Sequence, residues 1–147
     1  MKYILILVSL WLASHQVLGQ VTPPAPVGFT YKIDSGMPGQ QIYGSTQRPY
    51  ASNGELTGKG NLAAQALQVF KNLETALNSI GMNFSNIKQV TYHLKGEMDQ
   101  LDGSIVAQVN AIAGKYLPLG SQITDYKQVP KIAQDEVLIE IEVIAIR

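Results

Sequence analysis

Two carboxylates, Glu140 and Glu142, interrupt the apolar stretch that closes the chain, V-L-I-E-I-E-V-I-A-I-R from Val137 to Arg147. Side chains in a strand alternate between its two faces, so Val137, Ile139, Ile141, Val143 and Ala145 share one face. Glu140 and Glu142 share the other with Leu138, Ile144 and Ile146. A carboxylate is costly to bury without a partner. The second face is therefore expected to meet a solvent-filled cleft, a partner subunit or a ligand. The plainer alternative is two solvated glutamates on the open side of an antiparallel sheet. Within a cleft, a carboxylate with a raised pKa can move a proton to or from water.

Other chemistries fail on inventory. The chain has no cysteine and only two histidines, His15 and His93. That excludes a typical structural zinc site, and no motif supports a Ser-His-Asp triad. Gly36, Gly39 and Gly44 are not spaced as a phosphate loop, and Gly58-Lys59-Gly60 is a fragment of one. No metal or cofactor is expected. His93 reads as a surface strand residue with no partner evident in the sequence.

The first residues look like a targeting segment. Lys2 is followed by an apolar run from Ile4 to Ala13, broken only by Ser9. About ten apolar residues are half of the roughly 20 that span a bilayer as a helix. Val17-Leu18-Gly19 offers small residues for cleavage. Residues 1–19 are thus expected to be a secretory signal peptide, and the protein to be exported, periplasmic or secreted. Once cleaved, the chain keeps no membrane segment. Loss of Lys2 tips eleven basic against eleven acidic residues to a net charge of −1. Such a chain lacks the basic footprint of a nucleic-acid binder. The remaining residues suffice for one domain, stabilised by its core without disulfides.

Residues 20–28 form a proline-rich lead-in, and residues 29–147 a single domain. Strands are expected at Phe29–Ile33 and Gln41–Thr46, joined by the turn cluster Asp34–Gly39. A helix follows, with Asn61 as N-cap and Gly81 beyond its end. Leu62, Ala66, Val69, Phe70, Leu73, Leu77 and Ile80 make its apolar stripe. Lys88–Lys95 is a strand. A second helix is expected from Asp99 to Tyr116, with Leu101, Ile105, Val109, Ile112 and Tyr116 on one face. Gln122–Val129 and Val137–Ile146 are the last strands. Two helices can cover one face of a mixed sheet, which makes the class α+β and leaves the second face to oligomerisation.

Three segments, in this order on these elements, carry a resemblance. Ala63-Ala64-Gln65-Ala66 through Asn72-Leu73 and Leu77 lies on the first helix. Asn86-Ile87-Lys88-Gln89-Val90-Thr91 leads into the middle strand. Ile139-Glu140-Ile141-Glu142-Val143-Ile144-Ala145 is the last strand. With these the chain resembles the RidA/YjgF family of imine and enamine deaminases, also called L-PSP-type endoribonucleases. The resemblance implies a chorismate-mutase-like mixed sheet with both helices on one face. It also implies a homotrimer whose sheets face inward, with ligand clefts between subunits.

The family's site residues carry over only in part. Glu140 matches the carboxylate that positions the attacking water, the one catalytic assignment. Asn110 matches a cleft asparagine, and Ser45, with Gln47, the Ser-Gly-Gln segment, although Thr46 replaces its glycine. Tyr31 corresponds to a cleft tyrosine. The family's carboxylate-binding arginine falls on Ser121, or on Gln122 if the register slips by one. No arginine lies between Arg48 and Arg147. Arg48 could enter the cleft and take over anion binding; a solvated loop arginine is its plainer reading. Lys127 is too far from Ser121 to replace the arginine.

These residues set out two functions. One is hydrolysis of imines, enamines or a related small molecule, with weakened affinity for α-imino acids. The other is a non-catalytic trimer that binds a small neutral or polar ligand. Ribonuclease activity finds no catalytic histidine pair and no basic patch.

Overall fold

The computed structural model describes residues 27–97, 100–120 and 122–147. The expected signal peptide, nearly all of the lead-in, Asp99 and Ser121 lie outside the described residues. The elements are β1 (Gly28–Ile33), β2 (Ile42–Gln47), α1 (Leu62–Ser79), β3 (Ile87–Lys95), α2 (Gly103–Ala113), β4 (Ile123–Val129) and β5 (Ile139–Ile146). No helix among the described residues is long and apolar enough to cross a membrane.

Helix α1 follows its sequence pattern. Asn61 is extended, and its side chain accepts from the Ala64 N–H at 3.0 Å, which satisfies one orphan donor of the first turn. Ala66, Val69, Phe70, Leu73 and Leu77 are fully buried, and Leu62 and Ile80 flank them half-buried. Gly81 takes a φ of 71°, the left-handed value that ends a helix cheaply.

Helix α2 is shorter than expected. Asp102 is extended and caps it, accepting from the Ser104 N–H at 2.8 Å. Leu101 therefore precedes the helix and is exposed. Tyr116 follows it, and its ring stacks on Phe70 at 4.8 Å. An apolar spacing that runs past a strong cap does not carry the helix with it, because the cap diverts the backbone.

The sheet runs β1-β2-β5-β3-β4, with β3 and β4 parallel and every other pair antiparallel. The β3–β4 crossover passes through α2, as a parallel pair requires. Both helices cover one face. There Ile139, Ile141, Val143 and Ala145 of β5 join Val90, Tyr92 and Leu94 of β3 in the main core. Strand β5 begins at Ile139; Val137 belongs to a smaller cluster with Tyr50 and Ile132.

Opposed residues of neighbouring strands share a face. On the uncovered face the register aligns Phe29, Thr46, Glu142, Thr91 and Asp125 in one row. A second row is Tyr31, Gly44, Ile144, Gln89 and Ile123. Glu140, His93 and Lys127 form a third. This face therefore has a polar end around Glu140 and an apolar end around Ile144 and Ile146.

Candidate functional site

Arg48 and Glu140 meet on the uncovered face. The Arg48 Nε donates to Glu140 Oε2 at 2.6 Å, and both side chains are largely shielded, 21 % and 15 % exposed. Arg48 is not a solvated loop residue. It stands one position beyond the last paired residue of β2, so strand alternation brings it level with Glu140. Its backbone is held on both sides. Arg48 N donates to Val27 O at 2.8 Å, and Asn72 Nδ2 of α1 donates to Arg48 O at 2.7 Å and Tyr50 O at 2.9 Å. The terminal nitrogens of Arg48 donate to no described residue, and they form the fork that suits a planar oxyanion.

His93 has a partner that the sequence did not disclose. Its Nε2 lies 3.3 Å from Glu142 Oε2, and His93 sits opposite Glu140 in the β3–β5 register. Among the described residues no group of three or more carboxylates and histidines could hold a metal ion.

Ser45 and Gln47 fall on the helix-covered face instead. Ser45 is opposite Val143, and Gln47 opposite Ile141. Ser45 Oγ lies 2.9 Å from Thr30 Oγ1 and accepts from Gln47 Nε2 at 3.0 Å, and both residues are buried. It is Thr46 between them that shares a row with Glu142. Tyr31 is on the uncovered face, stacked with Phe29 at 6.1 Å. Its ring lies over Gly44, where a Cβ would come within 2.4 Å of Tyr31 Cζ. The glycine thus makes room for the aromatic ring across the strand pair.

Asn110 belongs to a separate place. It lines a groove of about 320 Å³ between the C-terminal half of α2 and the start of β4, with Tyr92, Tyr126, Leu117 and Leu119. The Tyr126 hydroxyl is bonded to Asn110 Oδ1. Gln122 lines the same groove, next to Ser121. Ile123 is level with Ile144, four residues from Glu140, or roughly 13 Å along the strand. Within one chain, then, Arg48 and Glu140 form one group and Asn110 and Gln122 another.

Tyr92 and Tyr126 are the site-lining residues that sequence reasoning missed. Tyr92 reads as core because it alternates with Val90 and Leu94. The available signal was its hydroxyl, which an apolar core does not satisfy. Burial, and then the neighbouring Tyr126, push the Tyr92 pKa far above its ordinary value of 10.0. The folded chain thus keeps a proton that the unfolded chain loses above about pH 10, so stability falls as pH rises through that range. Urea midpoints measured from about pH 8 to about pH 11 should show a shallower decline in Tyr92→Phe than in the parent.

The model of the Endoribonuclease L-PSP family matches residues 23–147. Among solved structures, a Rid-family protein of unknown function from Yersinia pestis, YyfB, is 27 % identical. It matches over 81 % of this chain and 79 % of its own, with a TM-score of 0.56. RidA from an Antarctic Psychrobacter is 22 % identical over 83 % of this chain and 91 % of its own, with a TM-score of 0.63. TdcF from E. coli, solved with bound serine, is 20 % identical over 84 % of this chain and 92 % of its own, also at 0.63. No curated protein matches the chain.

Proposed function

For this chain, which belongs to the Endoribonuclease L-PSP, or RidA/YjgF, family, we propose hydrolysis of small imines or enamines at Glu140. The observation that carries this reading is the shielded Arg48–Glu140 pair on the uncovered sheet face. Arg48 holds Oε2 of the carboxylate, which leaves Oε1 to orient a water molecule and take its proton. Water adds to the C=N carbon, the proton passes to nitrogen, and the tetrahedral adduct expels ammonia to leave a carbonyl. With Ser121 at the position of the family's arginine, the Arg48 fork takes the role of substrate anchor.

The active unit in this reading is a homotrimer. Sheets packed face inward would cover Phe29, Tyr31 and Ile123, which one chain leaves exposed. The two groups of site residues lie far apart in one chain. A cleft between copies would join Arg48 and Glu140 of one to Asn110 and Gln122 of another. Export, as periplasmic or secreted protein, belongs to the same proposal and rests on the sequence of residues 1–19. The near-neutral charge and the single histidine beyond that segment favour this chemistry over RNA cleavage. The test is hydrolysis of freshly generated 2-iminopropionate by the chain lacking residues 1–19. Ammonia release above the uncatalysed rate supports the reading, and a folded oligomer without activity overturns it.

A further inference from the structure

Expelling ammonia from the tetrahedral adduct takes two protons to nitrogen, because a bare amide ion is not a leaving group. Glu140 carries the first from the attacking water. The second has no carrier among the groups assigned so far. Arg48 cannot supply it, since a guanidinium keeps its protons.

His93 stands where such a carrier is needed. It lies on the uncovered face, directly opposite Glu140 in the β3–β5 register. Opposed side chains have Cβ atoms about 4.5–5.5 Å apart, so one small substrate can meet both. The imidazole is largely shielded, its side chain 19 % exposed, and its Nε2 lies 3.3 Å from Glu142 Oε2. An ionised carboxylate only accepts, so this contact places a hydrogen on Nε2. Nδ1 is then the atom that gains and loses a proton, and it bonds to no described residue.

The other charged groups around the ring are already engaged. On β5, Glu142 holds the imidazole and Glu140 is held by Arg48. On β4, Lys127 is level with His93, but its Nζ lies 4.0 Å from Asp125 Oδ2. Histidine is the one side-chain type among these that ordinarily changes charge between about pH 5 and 8.

We infer that His93, its tautomer set by Glu142, is the general acid that protonates the departing nitrogen. The Nδ1–H gives its proton to the amine of the adduct. The C–N bond then breaks, and ammonia leaves with the bonding pair. The hydroxyl of the adduct becomes the carbonyl, and its proton returns to Nδ1. The inference rests on the proposed hydrolysis and adds its second proton carrier.

The chain lacking residues 1–19 keeps His93 as its one histidine, so the ring can be read alone. With 2-iminopropionate, His93→Gln should lower kcat roughly a hundredfold and change KM by less than about twofold, because Arg48 still holds the substrate carboxylate. Glutamine keeps an amide donor for Glu142. The parent kcat should fall as pH rises from about 5 to about 8, and the His93→Gln profile should lack that limb. Added imidazole should raise the kcat of His93→Ala by roughly tenfold or more, which a structural role would not allow. Independently of turnover, pyruvate, the product, should move the ¹⁵N resonances of the His93 ring in the parent and in Glu140→Gln alike.

An active parent whose His93→Gln keeps its kcat overturns this role and leaves the hydrolysis standing. An inactive parent overturns the hydrolysis and this role with it. Where a variant does not fold, the pyruvate titration of the parent decides, and an unmoved ring overturns the role.

Discussion

Replacing Glu140 with glutamine lowers the turnover of 2-iminopropionate by roughly a hundredfold or more, the usual worth of a positioned general base. The substitution is chosen for shape. Glutamine keeps the length of the side chain and an oxygen for Arg48 Nε, which now donates to Glu140 Oε2 at 2.6 Å. It cannot accept a proton from water. The fold should survive, since glutamine still accepts from Arg48 Nε and the guanidinium keeps part of its access to water. The loss should appear in kcat, with KM nearly unchanged, because the Arg48 fork still meets the substrate carboxylate. Parallel measurement of kcat and KM checks this. An unchanged kcat would remove Glu140 from the chemistry, and a raised KM alone would make it a binding group.

Gln65→Leu should reduce folding stability by about 3 kcal/mol, the largest effect expected of any single polar replacement here. Gln65 is fully buried on α1 and ties the helix to the loop before it and to the segment that leads into β5. Its Nε2 donates to Gly58 O at 3.2 Å and to Glu136 O at 2.8 Å, and its Oε1 accepts from Leu138 N at 2.7 Å. Leucine fits the space but takes a partner from three part-buried backbone groups, of which Glu136 O and Leu138 N keep no other described one and Gly58 O keeps the Asn61 N–H at 2.9 Å. Each such group costs about 1–3 kcal/mol when sealed from water, and relaxation recovers part of it. Urea unfolding should show a lower midpoint at unchanged slope. Two of those groups lie just before β5, so the change also loosens the strand that presents Glu140. Activity should fall in step with the folded fraction and no further.

Much of the fold was legible because local pattern and tertiary demand agree. The α1 stripe, its Asn61 cap and the Gly81 stop all point to one helix, and the helix is there. The α2 start departs from the apolar spacing, because Leu101 continues that spacing while Asp102 caps the backbone. Spacing reports which residues could share a face; a cap decides where the helix begins. The site was less legible. The family resemblance carries Ser45 and Gln47 into the cleft with Glu140, yet strand parity turns them to the other side of the sheet. Arg48, one residue later, lands beside Glu140.

What the sequence determined by itself is therefore the set of elements and the alternation within each. Period and capping are local, so β5 reads as a two-faced strand whether or not its neighbours are known. Only the tertiary structure decided which faces meet. Arg48 and Glu140 are 92 residues apart, and their contact depends on β5 pairing between β2 and β3. His93 finds Glu142 by the same pairing, and Tyr92 becomes the floor of a groove because α2 ends and β4 starts beside it. Strand order and register are collective. They follow from burying all the apolar faces together, which no segment of the chain carries alone.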